Sequence, residues 1–267
     1  MCPSCGRLVG AQERRCPNCG AWQPGLFGYG PAIQRVIGGQ LDLSNAITGT
    51  CVVLYVISLA LDPSSIFRMN GIFDLLSPSG VSLFRLGMTS GQIMWAGGWW
   101  TLCTATFLHG SALHILFNMA IMRRYLPMVA DLFGNARAFI IFVVAGAAGF
   151  VLSNVVTHAN TIGASGAIFG LLGALISYGR RTGQSYVTGQ LLTFAILMFV
   201  MSFLMSSSVN NWAHAGGFAS GWVTAQLMPT SNSREGLGVV LVAGALALLT
   251  LAGFVLSFVL FSPMVTP

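Results

Sequence analysis

Seven stretches of about twenty mostly apolar residues dominate this chain, at about 45–61, 110–129, 137–156, 162–178, 188–206, 211–228 and 237–261. At a rise of 1.5 Å per residue, each can cross a hydrocarbon layer of about 30 Å. Lipid offers no hydrogen bonds to an exposed backbone, so a spanning segment satisfies its own N–H and C=O groups as a helix or closes into a barrel. Continuous runs of this length, unlike the short alternating strands of a barrel, select helices. Only 7% of the 267 residues are charged, against about 25% in a soluble domain. The expected fold class is an all-α polytopic membrane protein.

The formal charge of +6 comes from twelve arginines, with no lysine. They sit almost entirely between the apolar runs, where they mark topology and not a nucleic-acid surface; no nucleic-acid partner is expected. With a cytoplasmic N-terminus, Arg7, Arg14, Arg15, Arg35, Arg123, Arg124, Arg137, Arg180, Arg181 and Arg234 fall inside, and Arg68 and Arg85 fall outside in one long loop. Seven spans then leave the C-terminus outside. The polar, cysteine-rich opening does not read as a cleaved signal. No inverted repeat of the transporter type is evident, and no acid lies within a span for proton coupling.

Polar residues inside the spans are the informative ones, because burying them is costly without partners. His114 and Asn118 lie in the second run, Ser165 in the fourth and His214 in the sixth. These three runs share a direction, and all four residues lie within about two turns of the outer end, so they converge on one layer. Ser165 stands in Gly163-Ala164-Ser165-Gly166, near a helix N-terminus that favours developing negative charge. His214 stands in Ala213-His214-Ala215-Gly216-Gly217. Gly166 with Gly170, and Gly217 with Gly221, form small-xxx-small pairs that let helices approach closely. The only carboxylates are Glu13, Asp42, Asp62, Asp74, Asp131 and Glu235. None is in the fourth or sixth run, so a Ser–His dyad is expected and not a triad. His114 and Asn118 share a helix face and could donate to an oxyanion. Ser153 and Ser220 read as packing residues whose hydroxyls bond their own backbone. His158 lies in a loop and takes no role.

Together these motifs resemble the rhomboid family of intramembrane serine proteases, over about residues 45–229. The resemblance implies a Ser165–His214 dyad needing no cofactor for catalysis, with His114, Asn118 and the Ser165 backbone N–H as the oxyanion hole. It implies that His109 braces the long first loop and that Asn211 occupies a position often held by asparagine. Partners would be the bilayer and single-span membrane protein substrates, cut near the outer end of their helix. A non-proteolytic rhomboid-like protein that binds membrane clients is the alternative. The chain departs from the family in two places. Trp100-Thr101 stands where a Trp-Arg pair is usual, and Phe169 stands where some members carry tyrosine. Trp95, Trp99 and Trp100 are expected to hold the 62–109 loop by burying apolar area in place of the missing arginine.

Cys2-Pro3-Ser4-Cys5 and Cys16-Pro17-Asn18-Cys19 form two CxxC knuckles. Four thiolates at that spacing suit a tetrahedral structural Zn2+, and the cytosolic side is too reducing for disulfides. Cys51 and Cys103 read as packing residues. The expected organisation is a zinc ribbon at 1–24, cytosolic and open to a cytosolic partner, and a linker at 25–44. A six-helix core at 45–229 and a seventh helix at 237–262 follow. The expected location is a bacterial inner (cell) membrane.

Overall fold

The computed structural model describes residues 2, 5, 7–10, 13, 15–20, 42–67, 71–204, 209–229 and 235–264. It divides into two units, Met1–Asp42 and Leu43–Pro267. Most of the expected linker, and Arg14, Arg35, Arg68 and Arg234 of the orientation count, lie outside the described residues. No β-strand forms among those described.

The larger unit begins with α1 (Leu43–Ala60) and a loop carrying α2 (Gly80–Arg85), α3 (Gly91–Trp95) and α4 (Thr101–Thr104). Six long helices follow: α5 (Ala112–Phe133), α6 (Asn135–Val156), α7 (Ser165–Arg181), α8 (Ser185–Leu204), α9 (Asn211–Gln226) and α10 (Leu237–Phe261). Each expected apolar run overlaps one of these helices. α1, α6, α8 and the stretch Leu237–Met264 built on α10 are each long and apolar enough to cross a membrane. Thr101–Phe107 and α5 make a fifth candidate, bent by 93° at the break between them.

The other two fall short of that measure. α7 has 17 residues and α9 has 16, although the sequence reading counts both as spans. For α7 its surroundings explain the difference: it is buried along almost its whole length and packs chiefly on α9, then on α6, α8 and α5. A helix enclosed by protein meets little lipid, so its length need not match the hydrocarbon. Phe133, Phe142, Met122, Leu126, Leu171, Leu172 and Ile176 fill the interior beside it.

Helix ends are closed by side chains. Ser111 accepts the His114 N–H at 3.2 Å and so caps α5. Gly134, at φ +97°, makes the turn into α6. Arg181 Nη1 donates to the Ala225 and Met228 carbonyl oxygens at 2.7 and 3.0 Å, meeting orphan carbonyls at the end of α9.

α10 is tied at both ends. Near its start, Glu235 Oε1 accepts the Arg137 backbone N–H at 2.8 Å, placing a carboxylate at the N-terminus of α6. Near its finish, Ser257 Oγ accepts from Trp100 Nε1 at 2.9 Å, and Phe261 stacks on Phe84 at 4.6 Å.

The tryptophan expectation is corrected here. Trp95 is 71% exposed and Trp99 is 55% exposed; only Trp100 packs, against α10. Thr101 carries the load instead. It is fully buried, its hydroxyl donates to the Gly98 carbonyl at 2.7 Å, and it lies 3.0 Å from Thr89 Oγ1. Thr89 in turn accepts from Asn154 Nδ2 of α6 at 3.0 Å. A chain of short polar groups thus fastens the first loop to α6.

Candidate active site

Ser165 is the first residue of α7. The segment leading into it is pinned: Thr161 pairs backbone to backbone with Thr89 (2.8 and 3.3 Å), and the Gly163 N–H donates to the Ala105 carbonyl at 2.9 Å. Gly163 adopts φ +121°, and a Cβ there would stand 2.7 Å from His114 Nε2. Both facts demand glycine. The turn leaves the Ser165 hydroxyl at the positive end of a buried helix, among N–H groups without intrahelical partners.

His214, the fourth residue of α9, is 4% exposed. Its Nε2 lies 2.9 Å from Ser165 Oγ. Its ring stacks on Phe169 with centroids 4.4 Å apart and planes 24° apart. Nδ1 makes no hydrogen bond among the described residues. The imidazole is therefore oriented by an aromatic face and by helix packing, which agrees with the lack of any carboxylate in α7 or α9. With its proton on Nδ1, the ring presents an Nε2 lone pair to the serine O–H.

Two helix backbones in contact make so short a reach possible. A Cβ on Gly217 would overlap the Gly166 carbonyl, and one on Gly221 would overlap the Gly170 carbonyl. A Cβ on Gly166 would stand 3.2 Å from the Ala213 carbonyl oxygen. α6 joins the same seam, because Gly149 faces the Ala213 carbonyl.

His114 Nδ1 accepts the Gly110 backbone N–H at 3.3 Å. That bond places the ring proton on Nε2, the nitrogen that faces Gly163 just before Ser165. Asn118 donates one amide hydrogen to the His114 carbonyl at 2.8 Å, and its second remains for another acceptor. His109 is buried and stands edge-on to His114, with centroids 5.1 Å apart. Asn211 hydrogen bonds to Ser202 of α8.

Some groups around the pair escaped the sequence reading. Asn210 caps α9, its side chain accepting the Ala213 N–H at 3.2 Å. Asn154 joins α6 to the first loop. Ser153, read as bonding its own backbone, instead accepts from Asn210 Nδ2. Ser220 does bond its own helix, at the Gly217 carbonyl.

In the smaller unit, the Sγ atoms of Cys2, Cys5, Cys16 and Cys19 lie within 4.8 Å of one another. Cys2–Cys19 is 3.6 Å and Cys5–Cys16 is 3.7 Å. Zn–S bonds of about 2.3 Å in a tetrahedron set sulfurs about 3.8 Å apart, whereas a disulfide needs about 2.05 Å. Hydrogen bonding from the Asn18 backbone, with smaller help from Cys19 and Cys2, lowers Cys16 to about 6, so it favours the thiolate that a metal takes. The set fits a structural metal.

A model of the Rhomboid domain matches residues 96–230. RHOMBOID-like protein 1 of Arabidopsis thaliana is 30% identical over 155 residues, covering 56% of this chain and 40% of its own length. RHOMBOID-like protein 7 of the same plant is 31% identical over 167 residues, 61% of this chain and 52% of its own length. Rhomboid protease GluP of Bacillus subtilis (strain 168) is 29% identical over 162 residues, 58% of this chain and 32% of its own length. The chain thus spans about half, or less, of these curated relatives.

Proposed function

The chain belongs to the rhomboid family, and from that premise we propose that it is an intramembrane serine endopeptidase with Ser165 as nucleophile and His214 as base. The observation that carries this reading is the 2.9 Å approach of Ser165 Oγ to His214 Nε2 inside the bundle. Ser165 Oγ adds to the scissile carbonyl carbon while its proton passes to Nε2. The carbonyl electron pair moves onto oxygen, to be met by the Ser165 backbone N–H, His114 Nε2–H and the second Asn118 amide hydrogen. Each such donor is typically worth about 2.7–4 kcal/mol in the transition state. The intermediate collapses, the leaving amine takes the proton from Nε2, and an acyl ester stays on Ser165. Water, deprotonated by His214, repeats the addition and releases the acid.

Substrates on this reading are single-span membrane proteins, cut near the outer end of their helix. Purified protein in detergent should release a cut fragment from a generic single-span substrate; an uncut substrate would overturn the proposal. The arginine distribution supports a cytoplasmic N-terminus. Reporter fusions should therefore place residue 158 outside and residue 182 inside, and the opposite pattern would invert the predicted cut position.

Cys2, Cys5, Cys16 and Cys19 would hold one structural Zn2+, which has no part in the chemistry. Cys16→Ser combined with Cys19→Ser should remove about one zinc per chain, read by elemental analysis. Ser165 labelling by a fluorophosphonate should survive in that variant. Its loss would show that the ribbon supports the catalytic core.

A further inference from the structure

The glycine seam between α7 and α9 brings the two backbones into contact on both sides of His214. Gly217 and Gly221 meet Gly166 and Gly170 further along α9 than His214, and the Ala213 carbonyl meets Gly166 and Gly149 just before it, so backbone contact sets how close the helices come. Asn210 adds side-chain bonds at the start of α9. Its Oδ1 accepts the Ala213 N–H at 3.2 Å, and its carbonyl accepts the His214 N–H at 3.3 Å. Its Nδ2 donates to Ser153 Oγ of α6 at 2.5 Å and to Thr161 Oγ1 at 3.0 Å. Thr161 lies four residues before Ser165 and is itself held through its backbone by Thr89 of the first loop. One side chain therefore joins the helix of the base to the segment of the nucleophile. The neighbouring Asn211 points elsewhere, to Ser202 of α8.

We propose that Asn210 is a positioning residue that sets the distance and angle at which His214 meets Ser165. This rests on the serine-protease reading of that pair. Two kinds of contact are separable by substitution. Serine at 210 still caps a helix, but it is too short to bridge Ser153 and Thr161. Asn210→Ser should keep the wild-type thermal midpoint in detergent, yet lower kcat and the rate of fluorophosphonate labelling about tenfold or more, with KM unchanged. Thr161→Val should reproduce that loss, and combining it with Asn210→Ser should add little further. Wild-type labelling rates in Asn210→Ser and Thr161→Val would overturn the proposal, and so would losses that merely track a lowered midpoint in each variant. Failure of the wild type to label at Ser165 is a different result: it would overturn the reading of the pair, and this inference with it.

Discussion

Ser165→Ala is expected to abolish cleavage and fluorophosphonate labelling while leaving the solubilised protein folded. Loss of the nucleophile in a serine protease costs about 10⁶ in kcat, so a sensitive assay should register no cut fragment above background. Stability should change little. The hydroxyl is only half-buried, and its one recorded bond is to His214, worth about 0.5–1.5 kcal/mol net. Equal labelling of wild type and variant would remove Ser165 from the mechanism.

Gly217→Ala should be the most damaging single methyl group in the bundle. The added Cβ would overlap the Gly166 carbonyl oxygen, a backbone atom of a buried helix that has no rotamer to change. The helices must part. Overpacking of this kind costs about 1–3 kcal/mol, occasionally more, and an active-site displacement of about 1 Å costs about 100-fold in rate. A lowered thermal midpoint and a labelling rate at least that far down are therefore expected together. Gly244→Ala is the control, because nothing lies within 4 Å of its Cβ position on α10. It should melt no lower than wild type, since alanine is the better helix former by about 1 kcal/mol. A Gly217→Ala protein that melts and labels like wild type would show that α7 and α9 are not in backbone contact.

Much of this architecture was legible in the sequence, and for identifiable reasons. Lipid imposes a length on an apolar run, so the runs at 137–156 and 237–261 match helices Asn135–Val156 and Leu237–Phe261 almost residue for residue. The run at 162–178 is displaced to Ser165–Arg181, because the positive φ of Gly163 delays the start. Ser165 and His214 stood out because glycine surrounds both, and glycine beside a polar residue in a membrane helix implies close approach.

What stayed hidden depends on partners distant in the chain. Asn210 and Asn211 are adjacent and chemically identical, and only the start of α9 decides which caps it and which turns to α8. Thr101 looked like a lost arginine; its contacts, Thr89 and through it Asn154, lie 12 and 65 positions apart along the pairs concerned. The tryptophans misled because an aromatic belt and a packed loop have the same composition. Burial separates them, and composition does not report it.

The double fastening of α10 bears on how the protein is made. Trp100 waits for Ser257, a partner 157 positions downstream, and the N-terminus of α6 waits for Glu235, 98 positions beyond Arg137. A ribosome delivers Glu235 only nine positions after the end of α9, whereas Ser257 comes later still, within α10. The nascent chain thus holds both residues of its reactive pair before Trp100 of the first loop has its partner, which only the synthesis of α10 supplies.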